Sequence, residues 1–147
     1  MFSLSLSELI SSSSSSSSCV KTHARFEDIQ NMWQDSSSSC RTILINTLPL
    51  NSQDYLIKNT LDGNTEEKVM NDILDTNAQS NVLIIVYGKN CLDESALKKR
   101  HDIEKLGFKK VLVYTGGLFE WSLLQDIFGN EEFPTTRIEN NILLYKP

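Results

Sequence analysis

The apolar residues of this chain occur in two patterns that alternate along the sequence, short continuous runs and residues at helical spacing. Three short, continuous apolar runs have the length and the β-branched content of buried strands: Thr42–Asn46, Val82–Tyr87 and Val111–Thr115. The neighbouring segments carry apolar residues at helical spacing, which predicts helices over 26–33, 65–75, about 93–106 and 118–128. Because strands and helices alternate, the pattern predicts an α/β fold with a mainly parallel sheet.

Individual residues define the ends and the inward faces of the predicted helices. Thr65 is expected to cap the second helix, and Gly107 with Phe108 after it is expected to close the third. Gly129 follows the last helix. The apolar residues predicted to face the core are Leu97, Ile103 and Leu106 in the third helix, and Leu118, Trp121, Leu123, Leu124 and Phe128 in the last.

Serine-rich composition sets the start of the chain apart from the rest. Ser11–Ser18 is an unbroken serine run, which buries almost no apolar surface, so residues 1–22 are predicted to be a disordered tail. A transit peptide in this segment is an open alternative. The second run, Ser36–Ser39, is interpreted as a linker, and the cysteines beside these runs, Cys19 and Cys40, are predicted to be inert.

The last residues of the chain are predicted to form an extension. We expect the compact region to end at Pro134, which leaves residues 135–147 as a C-terminal extension. Within it, Ile142–Tyr145 is apolar enough to form either an edge strand or a tail that docks on the domain.

Composition and charge exclude several classes of function. The chain has 14 Lys and Arg against 19 Asp and Glu, a formal net charge of −5. Nucleic acids and anionic membranes attract clustered positive charge, so neither is an expected partner. The longest apolar run is also far shorter than the ~20 residues of a membrane span. Three cysteines without a CxxC pair indicate neither a disulfide framework nor a zinc site, and free thiols favour a reducing compartment, interpreted as the cytoplasm.

The candidate ligand site follows from the predicted sheet. Ligands of parallel sheets bind beyond the carboxyl ends of the strands, which indicates the loop Gly88–Leu92 before the third helix. His23 and His101 have no partner at metal-ligand spacing, so neither a metal nor a cofactor is expected.

Three motifs in order resemble those of a rhodanese-like domain. They are the apolar strand that ends in Tyr87 and is followed by a short loop and a helix, then Leu106-Gly107-Phe108 followed by Val111, and finally Gly116-Gly117 with Trp121 four residues later and Phe133-Pro134 near the closing proline. The resemblance implies a three-layer fold over residues 23–134, in which a mainly parallel central sheet is flanked by helices.

The resemblance also implies an active-site loop that this chain carries in altered form. Members of the family place a cysteine directly after the central strand, surround its persulfide with backbone N–H groups and complete the anion site with an arginine. Here Gly88 occupies the cysteine position, Cys91 occupies a glycine position, and Asp93 occupies the arginine position. The carboxylates of Asp93 and Glu94 favour the helix start but repel anionic sulfur donors.

Two functional hypotheses follow. The leading one is a catalytically degenerate domain, a monomer or weak oligomer, that acts as a structural module or binds an unknown protein or small molecule. The alternative is a thiosulfate-type sulfurtransferase that uses Cys91 as its persulfide carrier. The loop residues assigned to binding are Gly88, Lys89, Asn90, Cys91, Leu92 and Asp93.

Overall fold

The computed structural model describes residues 21–34 and 40–147, and the predicted linker Ser36–Ser39 and most of the predicted tail lie outside this part. In the described part, the strands are β1 (His23–Ala24), β2 (Arg41–Asn46), β3 (Val82–Tyr87) and β4 (Lys110–Tyr114). The helices are α1 (Phe26–Gln34), α2 (Gly63–Asp75), α3 (Ser95–Lys105) and α4 (Gly117–Phe128). Short 3-10 helices occupy Leu50–Ser52, Gln79–Asn81 and Ile142–Tyr145.

The four strands form one sheet in the order β1-β4-β3-β2, and every pair is parallel. The predicted α/β class with a parallel sheet is therefore confirmed. The strands also end in register, because Tyr87 is paired with Asn46 on one side and with Tyr114 on the other. The loops that follow these strands consequently meet at one edge of the sheet, as the sequence analysis expected of the candidate site.

Alternating strand residues divide the core into two layers, one on each face of the sheet. Ile29 of α1 and Leu118 and Trp121 of α4 cover one face, where they pack against alternate residues of the strands such as Ile85 and Leu112. The helices α2 and α3 cover the other face. The buried residues there are Met70 and Ile73 of α2, Ala96 and Ile103 of α3, and Ile43, Ile45, Ile84, Val86, Val111 and Val113 of the strands. This arrangement is the predicted three-layer fold.

The inward face of α3 differs from the prediction. Leu97 and Leu106 are 52% and 49% exposed, whereas Ala96 and Ile103 are buried. Ala96 and Ile103 are seven residues apart and share one helical stripe, from which Leu97 is rotated by about 100°. Leu106 lies where the chain leaves the helix, and the core position goes instead to Phe108, after the positive φ of Gly107.

The inward face of α4 is also narrower than predicted. Leu118 and Trp121 are fully buried as expected, but Leu123 and Phe128 are exposed. Leu123 is two residues from Trp121 and therefore lies about 200° around the helix. Ser122 is buried instead, where its hydroxyl donates to the carbonyl of Leu118 at 2.7 Å and contacts Tyr55 Oη at 2.9 Å.

The start of α2 shows which residue caps it. The helix begins at Gly63, and the Asp62 carboxylate accepts a hydrogen bond from the Asn64 N–H at 3.2 Å. The predicted cap, Thr65, lies inside the first turn, where its hydroxyl donates to the carbonyl of Asp62. The capping prediction was wrong because Asp62, three residues before Thr65, already accepts from the Asn64 N–H in the first turn.

Packing continues beyond Pro134, where the sequence had predicted the compact region to end. Thr135 forms an antiparallel bridge with Ile57, and the Thr136 N–H donates to the carbonyl of Leu56 at 2.8 Å. Tyr145 is buried and stacks on Tyr55 with 5.7 Å between ring centroids. Of the two alternatives for Ile142–Tyr145, the structure has the docked tail, as a 3-10 helix.

Candidate functional site

The loop between β3 and α3 lies against the start of α4. The N–H of Leu118 donates to the carbonyl of Gly88, and the N–H of Phe119 donates to the carbonyl of Lys89, each at 3.0 Å. Gly117 makes this approach possible, because its φ is +65° and a Cβ there would lie 2.7 Å from the carbonyl oxygen of Gly88. The Gly116-Gly117 turn therefore sets the distance between the last helix and the candidate loop.

The carboxylate of Asp93 occupies the centre of this loop. Its Oδ2 accepts from the Lys89 N–H at 2.9 Å. Its Oδ1 accepts from the Ser95 N–H at 3.0 Å and from the Ser95 hydroxyl at 2.6 Å. Partial burial alone would raise the pKa of Asp93, but these hydrogen bonds outweigh it and hold the pKa below its ordinary value. Asp93 is thus an anion fixed by the N–H groups at the start of α3.

Asn90 binds two further donors of the loop and connects the loop to the C-terminal tail. Its Oδ1 accepts from the Leu92 N–H at 2.9 Å, and its carbonyl accepts from the Asp93 N–H at 3.2 Å. Its Nδ2 donates to the carbonyl of Tyr145 at 2.9 Å. The buried Asn90 side chain therefore holds the tail and the loop together.

Gly88 is packed against the same carboxylate. A Cβ at position 88 would lie 2.6 Å from Asp93 Oδ2 and 3.1 Å from the hydroxyl of Thr47. Thr47 in turn contacts the Ser95 hydroxyl at 2.6 Å. The position that the resemblance assigns to a cysteine consequently has no room for a side chain while Asp93 keeps its place.

The predicted loop residues divide into two groups. Gly88, Lys89, Asn90 and Asp93 meet through the backbone and side-chain contacts described above. Cys91 and Leu92 are exposed instead, with Leu92 at 71% exposure. The thiol of Cys91 accepts none of the loop N–H hydrogen bonds found in the described part of the chain.

The guanidinium groups of Arg100 and Arg137 are paired with acceptors outside this loop. Arg100, the arginine nearest to it in the sequence, donates through Nε to the carbonyl of Val111 at 3.0 Å and pairs with Glu104 at 2.6 Å. Arg137 pairs with Asp54 at 3.0 Å and with Glu139 at 3.2 Å. Neither guanidinium therefore completes an anion site at the start of α3.

A cavity of about 410 Å³ lies beside the loop. Its lining combines apolar residues with the two cations Lys89 and Arg137. The other lining residues are Leu48, Pro49, Asn51, Ser52, Asp54, Leu144 and Tyr145. Both the size and the mostly apolar wall suit a small ligand or one side chain of a partner.

Residues 21–34 and 40–147 contain neither a metal-binding cluster nor a helix able to span a membrane. No group of three or more His, Cys, Asp or Glu side chains in this part could hold a metal ion. His101 is exposed, and His23 contacts the hydroxyl of Thr115 at 3.0 Å. No described helix has the length and apolar character needed to cross a membrane.

The loop lies where the sequence predicted it, and Asp93 favours the helix start as expected, but its hydrogen bonds to the Lys89 and Ser95 N–H groups were not predicted. An Asp two residues before a helix is a common acceptor for the first free N–H groups, and that signal was present in the sequence. The contact between Asn90 and Tyr145 spans 55 residues and has no local sequence signature.

Comparison with known proteins gives the fold. No protein-family model matches the sequence, and no curated protein is significantly similar to it. The chain is similar in structure to Ygr203w, a yeast protein tyrosine phosphatase of the Rhodanese family, at a TM-score of 0.58 and 12% identity, covering 81% of this chain and 94% of that one.

Two bacterial structures are similar over comparable lengths. BH2092 from Bacillus halodurans gives a TM-score of 0.56 at 14% identity and covers 85% of this chain and 84% of that one. Alr3790 from Anabaena sp. gives 0.52 at 19% identity, with 76% and 89% covered. Together with the parallel sheet between two helical layers, these similarities show that the chain folds as a rhodanese-like domain.

Proposed function

We propose that this chain is a catalytically degenerate rhodanese-like domain that acts as a binding or structural module. The observation that carries the proposal is the Asp93 carboxylate, which accepts the Lys89 and Ser95 N–H groups. In the family that the sequence resembles, such N–H groups hold the persulfide and its anionic donor. Here the protein supplies its own anion at the corresponding place.

The Asp93 carboxylate competes with any anionic ligand of the loop. Thiosulfate or a phosphate ester needs the same N–H donors, so it has to displace the Asp93 carboxylate or lie beside it. Displacement breaks charge-assisted hydrogen bonds, which contribute about 1.5–3 kcal/mol each. Binding beside the carboxylate brings two like charges together without the arginine that would offset them.

The alternative, a thiosulfate-type sulfurtransferase that carries a persulfide on Cys91, is supported by the presence of this thiol in the loop. A persulfide at Cys91 would need the loop to rearrange, because Asp93 and Asn90 hold the Lys89, Leu92 and Ser95 N–H groups. The same argument applies to phosphatase chemistry of the kind named for the yeast neighbour, since a phosphate ester is also an anion.

The binding role is supported by the surface around the loop. Leu92 projects an exposed apolar side chain, and the neighbouring cavity joins apolar walls to Lys89 and Arg137. A small molecule or a partner side chain with an apolar body fits this lining, and an acidic group on it would meet Lys89, because Arg137 is already paired with Asp54 and Glu139. A cytoplasmic location is part of the proposal and is supported by the exposed free thiol of Cys91, which a reducing compartment preserves.

An activity assay tests the proposal. Wild-type protein and Cys91→Ser are assayed for transfer of sulfur from thiosulfate to cyanide and for hydrolysis of p-nitrophenyl phosphate, and intact masses are measured after incubation with thiosulfate. We expect neither activity above the buffer rate and no mass increase from a persulfide. Sulfur transfer, or a persulfide mass, that is lost in Cys91→Ser would establish the sulfurtransferase instead.

A binding measurement tests the physical reason. Thiosulfate and inorganic phosphate are titrated into labelled protein while the amide resonances of Lys89, Leu92 and Ser95 are followed. We expect no saturable shifts in the wild type and saturable shifts in Asp93→Ala, in which the N–H groups are released. Asp93→Asn keeps an acceptor oxygen for these N–H groups and is the matched control, which should show no saturable shifts. Saturable shifts in the wild type would contradict the proposal.

A further inference from the structure

The outward face of α4 carries an exposed apolar stripe. Phe119, Leu123 and Ile127 are four residues apart, so their side chains follow one another along the same side of the helix. Phe119 is half-buried, Leu123 is exposed, and Ile127 is 70% exposed. Ile127 lies about 180° around the helix from Leu118, which packs on the sheet. The stripe therefore points away from the core.

The segments that pack beside α4 leave this stripe uncovered. On one side, the Trp33 ring of α1 meets Trp121 edge to face at 6.0 Å between centroids. On the other side, the C-terminal tail approaches Ser122, which lines a cavity together with Ile138 of the tail. Ile127 lies about 120° around the helix from Trp121 and about 140° from Ser122. The stripe thus runs between the two docked segments and is open to a partner.

Charge distinguishes the helical layer of α1 and α4 from the layer on the other face of the sheet. The helices α1 and α4 contain no Lys or Arg, whereas α2 and α3 contain five. Beyond α4, Glu131 and Glu132 add two carboxylates. No Lys, Arg or His occurs between Lys110 and Arg137 in the sequence. The acidic residues within α1 and α4 are Glu27, Asp28, Glu120 and Asp126.

The carboxylates of this layer differ in whether a cation neutralises them. Glu27 and Asp28 are paired with cations that precede α1, at 3.5 and 2.9 Å. Among residues 21–34 and 40–147, no ion pair involves Asp126 or the two glutamates that follow α4. Asp126 is exposed and lies about 60° around the helix from Leu123. An unneutralised carboxylate therefore flanks the apolar stripe.

A cavity of about 260 Å³ adjoins the stripe between α4 and the tail. The described residues that line it include two carboxylates, Asp126 and Glu139, and no Lys, Arg or His. Glu139 is already paired with Arg137 at 3.2 Å and accepts from the Asn141 N–H at 3.0 Å, so Asp126 is the carboxylate open to a new partner. The volume is below the roughly 300–1,000 Å³ of most small-molecule sites and suits one long side chain.

We propose that the outward face of α4 binds a cationic amphipathic helix of a partner protein. Apolar residues of that helix, three or four positions apart, pack on the stripe of Phe119, Leu123 and Ile127. A lysine or arginine beside them enters the cavity and pairs with Asp126. This role is separate from the loop before α3 and requires no chemistry there.

The charge of the layer favours this occupant over the alternatives. A second copy of the chain docked through the same face would bring identical carboxylates together. An anionic membrane or a nucleic acid would likewise meet Asp126 and the glutamates after α4 with no Lys or Arg on the helix to attract it. A basic helix gains from both the exposed apolar area and the unpaired carboxylate.

Fluorescence anisotropy of labelled peptides mixed with the full chain tests the proposal. The probe is a peptide of about 18 residues made of leucine and lysine, with its leucines on one helical face. We expect saturable binding of this peptide. A peptide of the same composition in scrambled order, and an analogue with glutamate in place of lysine, should each bind at least about tenfold more weakly.

Matched variants locate the binding surface. Ile127→Ser removes an apolar side chain from the stripe, and Asp126→Asn removes the unpaired charge, so each should weaken binding several-fold. Leu97→Ser and Asp102→Asn make the same changes on α3 and should bind like the wild type. All four side chains are exposed, so we expect each variant to fold, which urea unfolding verifies.

Several results would overturn the proposal. They are absence of saturable binding in the wild type, equal binding of the scrambled or acidic peptide, and equal weakening by the α3 and α4 variants. Sedimentation of the wild type as a dimer that Ile127→Ser dissociates would assign the stripe to a second copy instead. Binding of phosphatidylserine vesicles that Ile127→Ser abolishes would assign it to a membrane.

Discussion

Two buried tyrosines lie side by side at the ends of β3 and β4, in opposite hydrogen-bonding environments. Tyr87 and Tyr114 are register partners and are 0% and 1% exposed. The hydroxyl of Tyr87 accepts from the Ile57 N–H at 3.2 Å and contacts the Thr60 hydroxyl at 2.7 Å. Among the described residues, no partner meets the geometric limits of a hydrogen bond to the Tyr114 hydroxyl, and burial together with the nearby Glu120 carboxylate raises the pKa of this phenol.

The difference comes from what covers each strand end. A loop with free backbone and hydroxyl groups covers Tyr87, and the nearby candidate loop likewise pairs its N–H groups with Asp93 and Asn90. Helices cover Tyr114, and their backbone groups are already used within the helices. Equal burial is therefore accompanied by a hydrogen-bonded hydroxyl at one strand end and by a hydroxyl without a geometrically acceptable partner among the described residues at the next.

The largest effect is expected from removing the Trp121 ring, which packs against α1 and the end of β4. Trp121 contacts Tyr114 at 6.2 Å and Phe133 at 5.0 Å between ring centroids. We expect Trp121→Ala to lower the free energy of unfolding in urea by about 3–5 kcal/mol. Leu123→Ala on the exposed side of α4 is the control and should change it by less than about 0.5 kcal/mol. A loss below about 2 kcal/mol for Trp121→Ala would mean that apolar packing does not dominate this interface.

Deleting one hydroxyl at a time sharpens the comparison. Tyr87→Phe leaves the buried Ile57 N–H without its acceptor and should cost about 1–3 kcal/mol of unfolding free energy. Tyr114→Phe removes a hydroxyl that has no partner and should be neutral or slightly stabilising, within about 0.5 kcal/mol. Urea titration of both variants at one pH measures the difference. Equal costs for the two would show that Tyr114 has a partner after all.

The smallest expected effect is the coupling between Gly88 and Asp93. Gly88→Ala should cost about 1–3 kcal/mol because the new Cβ meets the fixed carboxylate. In an Asp93→Ala background the same change should cost less, with a coupling of about 1 kcal/mol in a double-mutant cycle measured by urea unfolding. Gly88→Ala combined with Leu123→Ala is the additive control. If the effects of the Gly88 and Asp93 substitutions on the free energy of unfolding are additive, a side chain at position 88 does not clash with the Asp93 carboxylate.

Much of the fold was predictable because periodicity is a local property. The strands Val82–Tyr87 and Arg41–Asn46 and the helix Phe26–Gln34 agree with the predicted spans to within a residue or so. The errors at Leu97 and Leu123 arose where apolar residues lie beside the buried stripe, and the sequence does not show how far the sheet extends beneath a helix.

The site was less predictable because its decisive contacts are not periodic. The position of the loop and the absence of a cysteine at Gly88 followed from the sequence. The anchoring of Asn90 by Tyr145 and the contact of Trp33 with Trp121 join segments far apart in the chain. Such contacts depend on how helices and the tail dock, which pattern analysis of one sequence does not determine.

A Cβ added at position 88 would lie 2.6 Å from Asp93 Oδ2. This clash also favours one order in which substitutions at the two positions can accumulate during evolution. A lineage that acquires Gly88→Cys first passes through a destabilised protein, whereas one that first loses the carboxylate at Asp93 does not meet that obstacle. The two substitutions are thus expected to be epistatic, and gaining a thiol after the central strand is accessible mainly in one mutational order.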